Sequence, residues 1–298
     1  MNDIVTNRPI IFGEVLFDRF PDGTVVLGGA PFNVAWNLQA LGRAPLLVSR
    51  VGEDDLGDRI LAAMTDWGLD VAGIQADPIH PTGTVEVSLE NGEPQFDISP
   101  GRAYDFVAAE ELPPVTAASA LYHGSLALRT EASRLALDRL RPRADGPILM
   151  DVNLRDPWWE PQAVTRWMGA AHWVKLNEDE LARLVPEEND LKRRAARLLG
   201  QGDLRAVLVT RGAAGAYACG RDGWVCAPEP VTAARVVDTV GAGDAFSSVV
   251  LLGLGRGWPI ATILARAQAF AAGVVGLRGA TTTDREFYEK FRTDWENE

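Results

Sequence analysis

The nine residues Asp238-Thr-Val-Gly-Ala-Gly-Asp-Ala-Phe246 constrain this chain more than any other stretch. Arg235, Val236 and Val237 lead in as extended chain. Gly241 and Gly243 leave the backbone of a turn unobstructed, and Phe246, Val249, Val250 and Leu254 then recur at helical spacing. The pattern predicts a strand end, a glycine turn and a helix over 244–255 whose mouth carries Asp244. Unpaired N–H groups at such a mouth favour an anion. A carboxylate beside a phosphate would repel it, unless Asp244 is there to take a proton from an incoming hydroxyl. The loop therefore points to phosphoryl transfer to an alcohol, although the same residues also make an ordinary turn and cap.

Two familiar phosphate loops are excluded. A dinucleotide fingerprint wants a third glycine where Phe246 stands. A P-loop needs Gly-Lys-Ser/Thr, and the only lysines are Lys175, Lys192 and Lys290, none in a glycine-rich turn.

With 298 residues, 47% hydrophobic and 23% charged, the chain can bury a full core. A net charge of -12 argues against nucleic acid and anionic membrane as partners. Residues 1–9 lack the basic start and apolar core of a signal peptide, and no apolar run reaches membrane-spanning length, so a cytoplasmic location is expected. Cys219 and Cys226 form no zinc motif and read as buried thiols; His80, His123 and His172 have no metal-like spacing.

Strand-like runs at 10–17, 46–51, 118–123, 147–152, 172–176 and 206–210 alternate with helix-like runs at 31–42, 55–68, 131–141, 178–185, 191–200, 244–255 and 259–276. Such alternation predicts a mostly parallel sheet covered by helices on both faces. Two hairpins break it. Phe17–Phe20 and Thr24–Leu27 flank Pro21-Asp22-Gly23, and Thr84–Leu89 and Gln95–Ile98 flank Asn91-Gly92. Together they suggest a small β-lid from segments of about 13–28 and 83–104, inserted in a single domain spanning 1–298.

Five motifs in order give the chain a resemblance to the ribokinase-like sugar kinases, the PfkB group, from about residue 10 to residue 284. They are Gly28-Gly-Ala-Pro-Phe-Asn33-Val-Ala35, Val51-Gly-Glu-Asp-Asp-Leu-Gly57, Asn177-Glu-Asp-Glu180, Thr210-Arg-Gly212-Ala-Ala-Gly215 and the loop from Asp238 to Asp244. The resemblance implies a three-layer α/β sandwich with a β-lid and an ATP-dependent kinase.

It also implies roles. Asp244 is the base, with Gly241, Ala242 and Gly243 forming the anion hole. Asp18, Gly28, Gly29, Asn33, Phe96 and Arg155 bind the sugar; Asn33, at the opening of a helix, can also cap it. Lys175, Asn177, Glu180, Thr210, Gly212 and Gly215 face the nucleotide. Asn177 and Glu180 position Mg2+ through water, although N-x-x-E is equally a capping box. Asp238 and Val240 belong to a loop that binds K+ in some relatives. Edge strands of the lid allow a homodimer. GGAPFNVA and Asp151-Val-Asn-Leu-Arg155 look most like fructokinases. A 2-keto-3-deoxygluconate kinase is the runner-up: such enzymes carry a Tyr-Arg pair where Ile98-Ser-Pro-Gly-Arg102 stands here. A sugar or nucleotide sensor without catalysis is the alternative of another class.

Overall fold

The apolar runs Leu46–Gly52 and Ala206–Thr210 are buried along nearly their whole length, as strands covered on both faces must be. The computed structural model describes residues 5–90 and 93–296. Its strands and helices in chain order begin with β1 (Val5–Phe12), β2 (Leu16–Arg19), β3 (Val25–Gly28), α1 (Ala30–Ala40), β4 (Leu46–Gly52), α2 (Asp55–Trp67), β5 (Ile74–Asp77), β6 (Gly83–Glu90) and β7 (Glu93–Ile98). There follow β8 (Val115–His123), α3 (Glu131–Leu140), β9 (Ile148–Asp151), α4 (Pro161–Gly169), β10 (Trp173–Asn177), α5 (Glu178–Leu184), α6 (Leu191–Leu199) and β11 (Ala206–Thr210). The chain ends with β12 (Ala216–Gly220), β13 (Val225–Cys226), α7 (Ala242–Arg256), α8 (Ile260–Val275) and α9 (Arg285–Glu296). Among the described residues no helix is long and apolar enough to cross a membrane.

Backbone packing divides the chain into two compact units. One comprises Met1–Ala118, Ala127–Arg143 and Thr283–Glu298; the other comprises Ser119–Leu126 and Ala144–Thr282.

In the first unit β4 lies between β1 and β5, parallel to both, with Ile10 opposite Leu46 and Ser49 opposite Ile74. A separate four-stranded sheet runs β3-β2-β6-β7. Its two hairpins, β2–β3 and β6–β7, are antiparallel, and β2 joins them by pairing parallel with β6, Asp18 opposite Val85. The turn at Pro21-Asp22-Gly23 forms as expected, with Gly23 at φ 85° and the Asp22 carboxylate accepting from Thr24 N–H. The Asn91-Gly92 turn lies outside the described residues. The run 10–17 is not one strand: Gly13 takes φ 145°, and a Cβ there would lie 2.5 Å from Pro31 Cγ, so the chain bends between β1 and β2. The last helix docks through aromatic rings. Trp36 and Trp67 stack at 4.6 Å, Tyr288 of α9 tilts against Trp67, and its hydroxyl donates to Asn37 Oδ1.

The second unit carries strands in the order β13-β12-β11-β10-β9-β8. From β8 to β11 they are parallel; β12 and β13 return antiparallel. The parallel register aligns Lys175 with Asp151 and Asn177 with Thr210 at the carboxyl ends of β9, β10 and β11, where ligands of open α/β sheets bind. Cys219 is buried, Cys226 is half-buried, and both are free thiols.

Candidate active site

Helix α7 opens at Ala242, two residues earlier than the spacing predicts, because Gly241 takes the N-cap with φ 78°. Only glycine adopts that backbone readily, and space demands it too: a Cβ would lie 2.3 Å from Ala280 Cβ. A glycine cap has no side chain to bond the first-turn N–H groups, which leaves that end of the helix suited to an anion. Asp244 stands in this first turn, half-buried. Upstream, the Asp238 carboxylate accepts from Val240 N–H and from Gly279 N–H, each at 3.0 Å. The loop is thereby tied to the turn that follows α8.

Beneath Gly243 lies Lys175. It is buried, and its Nζ donates to both oxygens of Asp151 at 3.1 and 2.9 Å. Burial works against its charge, but Asp151, Glu180 and Asp244 together hold the ammonium above its usual range. Ser247 of α7 donates to the same Asp151 at 2.8 Å. A strand-end lysine would ordinarily extend into solvent. This one is turned inward by its neighbour on β9.

Asn177 and Glu180 form a complete capping box on α5: Asn177 Oδ1 accepts from Glu180 N–H, and Glu180 Oε2 accepts from Asn177 N–H, both at 2.8 Å. Glu180 Oε1 takes a further N–H from Leu154 at 2.7 Å. The cap thus also holds the loop after β9. Burial pushes the Glu180 carboxyl above its ordinary range, against Lys175 and the two N–H groups, which pull it down. Among the described residues no group of three or more His, Cys, Asp or Glu could hold a metal ion. Asn177, with Thr210 opposite it, is exposed.

After Thr210 the chain turns through Gly212 (φ 53°) and Gly215 (φ 85°). A Cβ at Gly215 would meet the Gln268 amide oxygen at 2.6 Å, so α8 packs directly under this turn. Arg155 is exposed, donates to its neighbour Leu154 O at 3.2 Å, and makes no ion pair among the described residues.

The remaining residues named from sequence lie in the first unit. Asp18 sits mid-strand in β2, half-buried, with Oδ2 3.5 Å from where a Cβ on Gly28 would be. Gly29 takes φ 108°, and a Cβ would press to 2.7 Å on Glu14 O. Gly28, buried, thus lies beside the Asp18 carboxylate, and half-buried Gly29 lies against the Glu14 backbone. Asn33 is not the cap of α1. The helix starts at Ala30 because Pro31 has the fixed φ suited to a first turn, and Gly29 takes the cap, so Asn33 is buried one turn inside. Phe96 on β7 is 43% exposed. Sequence reasoning missed Asp151 as the partner of Lys175, and Ser247; the apolar run Ile148–Met150 that precedes Asp151 gives no sign of its burial.

The sequence of the pfkB family of carbohydrate kinases matches residues 1–286. The chain belongs to that family. It is an ATP-dependent carbohydrate kinase. The fructokinase of Klebsiella pneumoniae is 35% identical over 294 residues, covering 91% of this chain and 94% of its own. Among solved structures, aminoimidazole riboside kinase from Salmonella enterica, complexed with aminoimidazole riboside and an ATP analog, has a TM-score of 0.82 at 26% identity, covering 96% of this chain and 100% of its own. Fructokinase from Vibrio cholerae O395, bound to fructose, ADP and calcium ion, has a TM-score of 0.79 at 28% identity, covering 95% and 98%. These likenesses give the kinase the ribokinase-like α/β fold that its motifs imply.

Proposed function

We propose that this kinase transfers the γ-phosphoryl of ATP to a primary hydroxyl of D-fructose, giving fructose 6-phosphate. The observation that carries the reading is a helix mouth with no side-chain cap and a carboxylate in its first turn. Asp244 accepts the hydroxyl proton, and the N–H groups of Ala242, Gly243 and Asp244 stabilise charge on the transferring phosphoryl. Thr210, Gly212 and Gly215 line the polyphosphate with backbone.

A divalent cation such as Mg2+, when bound, neutralises the polyphosphate. Each Glu180 oxygen already accepts one N–H and keeps a lone pair, and the Asn177 amide is exposed, so the pair suits the water shell of such an ion better than direct ligation. The loop of Asp238 and Val240 offers carbonyls to K+. Asp18 and the backbone at Gly28 and Gly29 bind sugar hydroxyls, with Asn33, Phe96 and Arg155 completing the acceptor's surroundings. The lid sheet ends in β3 and β7, which leave Val26 and Phe96 exposed and suit a homodimer.

Fructose is favoured by the GGAPFNVA signature and by the fructokinases among the relatives. A riboside acceptor is the second reading, favoured by the TM-score of 0.82 with aminoimidazole riboside kinase. Coupled ADP release with fructose, ribose, glucose, adenosine, aminoimidazole riboside and 2-keto-3-deoxygluconate separates them. Fructose should give the highest kcat/KM; a higher value for the riboside or the keto-acid replaces the assignment.

A further inference from the structure

The pair formed by Lys175 and Asp151 is an unusual expense for a protein interior. Two charges side by side under a sheet edge stabilise a fold little better than a well-packed apolar pair would, so their retention calls for another reason. The surroundings supply one. The ammonium lies 2.9 Å from where a Cβ on Gly243 would be, so it packs directly against the backbone of the α7 first turn. Asp151 holds Lys175 from the adjacent strand, where the two are register partners, and its Oδ2 accepts from Ser247 on α7. Tyr122 on β8 approaches the same carboxylate at 3.5 Å. Ser247 follows Asp244 by three residues and so lies on the same face of the helix.

We propose that Lys175, Asp151 and Ser247 are positioning residues that lock the first turn of α7, and with it Asp244 and the N–H groups at 242–244, onto the carboxyl ends of β9 and β10. This deepens the proposed function and rests on it for the identity of the reaction. Lys175 supports the turn from below while Ser247 fixes the helix rotation, so the anion hole is held in place before any ligand arrives, as electrostatic stabilisation of a transition state requires. The same packing explains why position 243 is glycine: any side chain would displace the ammonium.

Removing one charge alone leaves the other buried and unpaired, and such a variant risks misfolding. The test therefore uses Ser247→Ala, which removes only the link to the helix, and the double change Lys175→Met with Asp151→Asn, which removes both charges together. Two quantities are read on the full chain: hydrogen–deuterium exchange of the amides at 239–246 relative to those of α8, and the kcat and KM for ATP with fructose. Both variants should exchange at least about tenfold faster at 239–246 with α8 unchanged, and should lose at least about tenfold in kcat while KM for ATP stays within about threefold. Wild-type exchange at 239–246 in both folded variants would overturn the proposal. If the wild-type chain phosphorylates no sugar in the panel, the proposed reaction falls, and the exchange measurement still decides whether these residues lock the turn.

Discussion

Asp238 and Gly279 are 41 residues apart in sequence, yet the Asp238 carboxylate accepts the Gly279 N–H at 3.0 Å while its other oxygen accepts Val240 N–H. One side chain thus fastens the loop before α7 to the turn after α8. In Asp238→Asn the amide can accept from only one of these donors and presents its own N–H groups to the other. A loss of about 1–2 kcal/mol in unfolding free energy is expected, measured by urea titration. A variant as stable as the wild type would mean that this clasp contributes nothing.

Glu180→Gln faces the same geometry twice over, since both carboxylate oxygens accept backbone N–H groups, from Leu154 and from Asn177. Stability should fall by roughly 1–3 kcal/mol, the usual cost of a buried unsatisfied group. The Mg2+ concentration for half-maximal rate should rise several-fold, with KM for the sugar little changed. A stability loss with an unchanged Mg2+ requirement would confine Glu180 to its capping role.

Gly241→Ala puts a side chain at φ 78° and drives its Cβ into Ala280. The left-handed backbone alone costs about 1–2 kcal/mol, and relief of the clash must shift the mouth of α7. The kcat should fall by at least tenfold while circular dichroism stays that of the wild type. Full turnover would show that the anion site tolerates displacement of its cap.

Asp18→Ala removes a carboxylate from mid-strand in the four-stranded sheet. Charge-assisted hydrogen bonds contribute about 1.5–3 kcal/mol each, so the KM for fructose should rise tenfold or more while KM for ATP changes little. An unchanged KM for fructose would place Asp18 outside the sugar site.

Much of this was legible in the sequence because local chemistry decides it. The Pro21-Asp22-Gly23 hairpin, the N-x-x-E box and the glycine turn into α7 are set by residues within a few positions of one another, whereas Arg235–Val237, which reads as a strand end, forms no strand. What escaped depends on partners distant in the chain. Lys175 reads as a solvated strand end until the parallel register sets Asp151 beside it. Asn33 reads as a cap because asparagine favours caps, but Pro31 starts the helix earlier. Strand β12 interrupts the α/β alternation as an antiparallel return, and Tyr288 of α9 has partners, Asn37 and Trp67, that lie more than 200 residues away. No local pattern announces either.

The central claim is that Asp244 is the base of a sugar kinase, and its direct test is fructose-dependent ADP release by Asp244→Asn compared with wild type at saturating Mg-ATP. The account predicts a fall in kcat of roughly two to four orders of magnitude, the range a positioned general base contributes, with melting temperature and nucleotide affinity nearly unchanged. Turnover near the wild-type rate in the folded variant would contradict it.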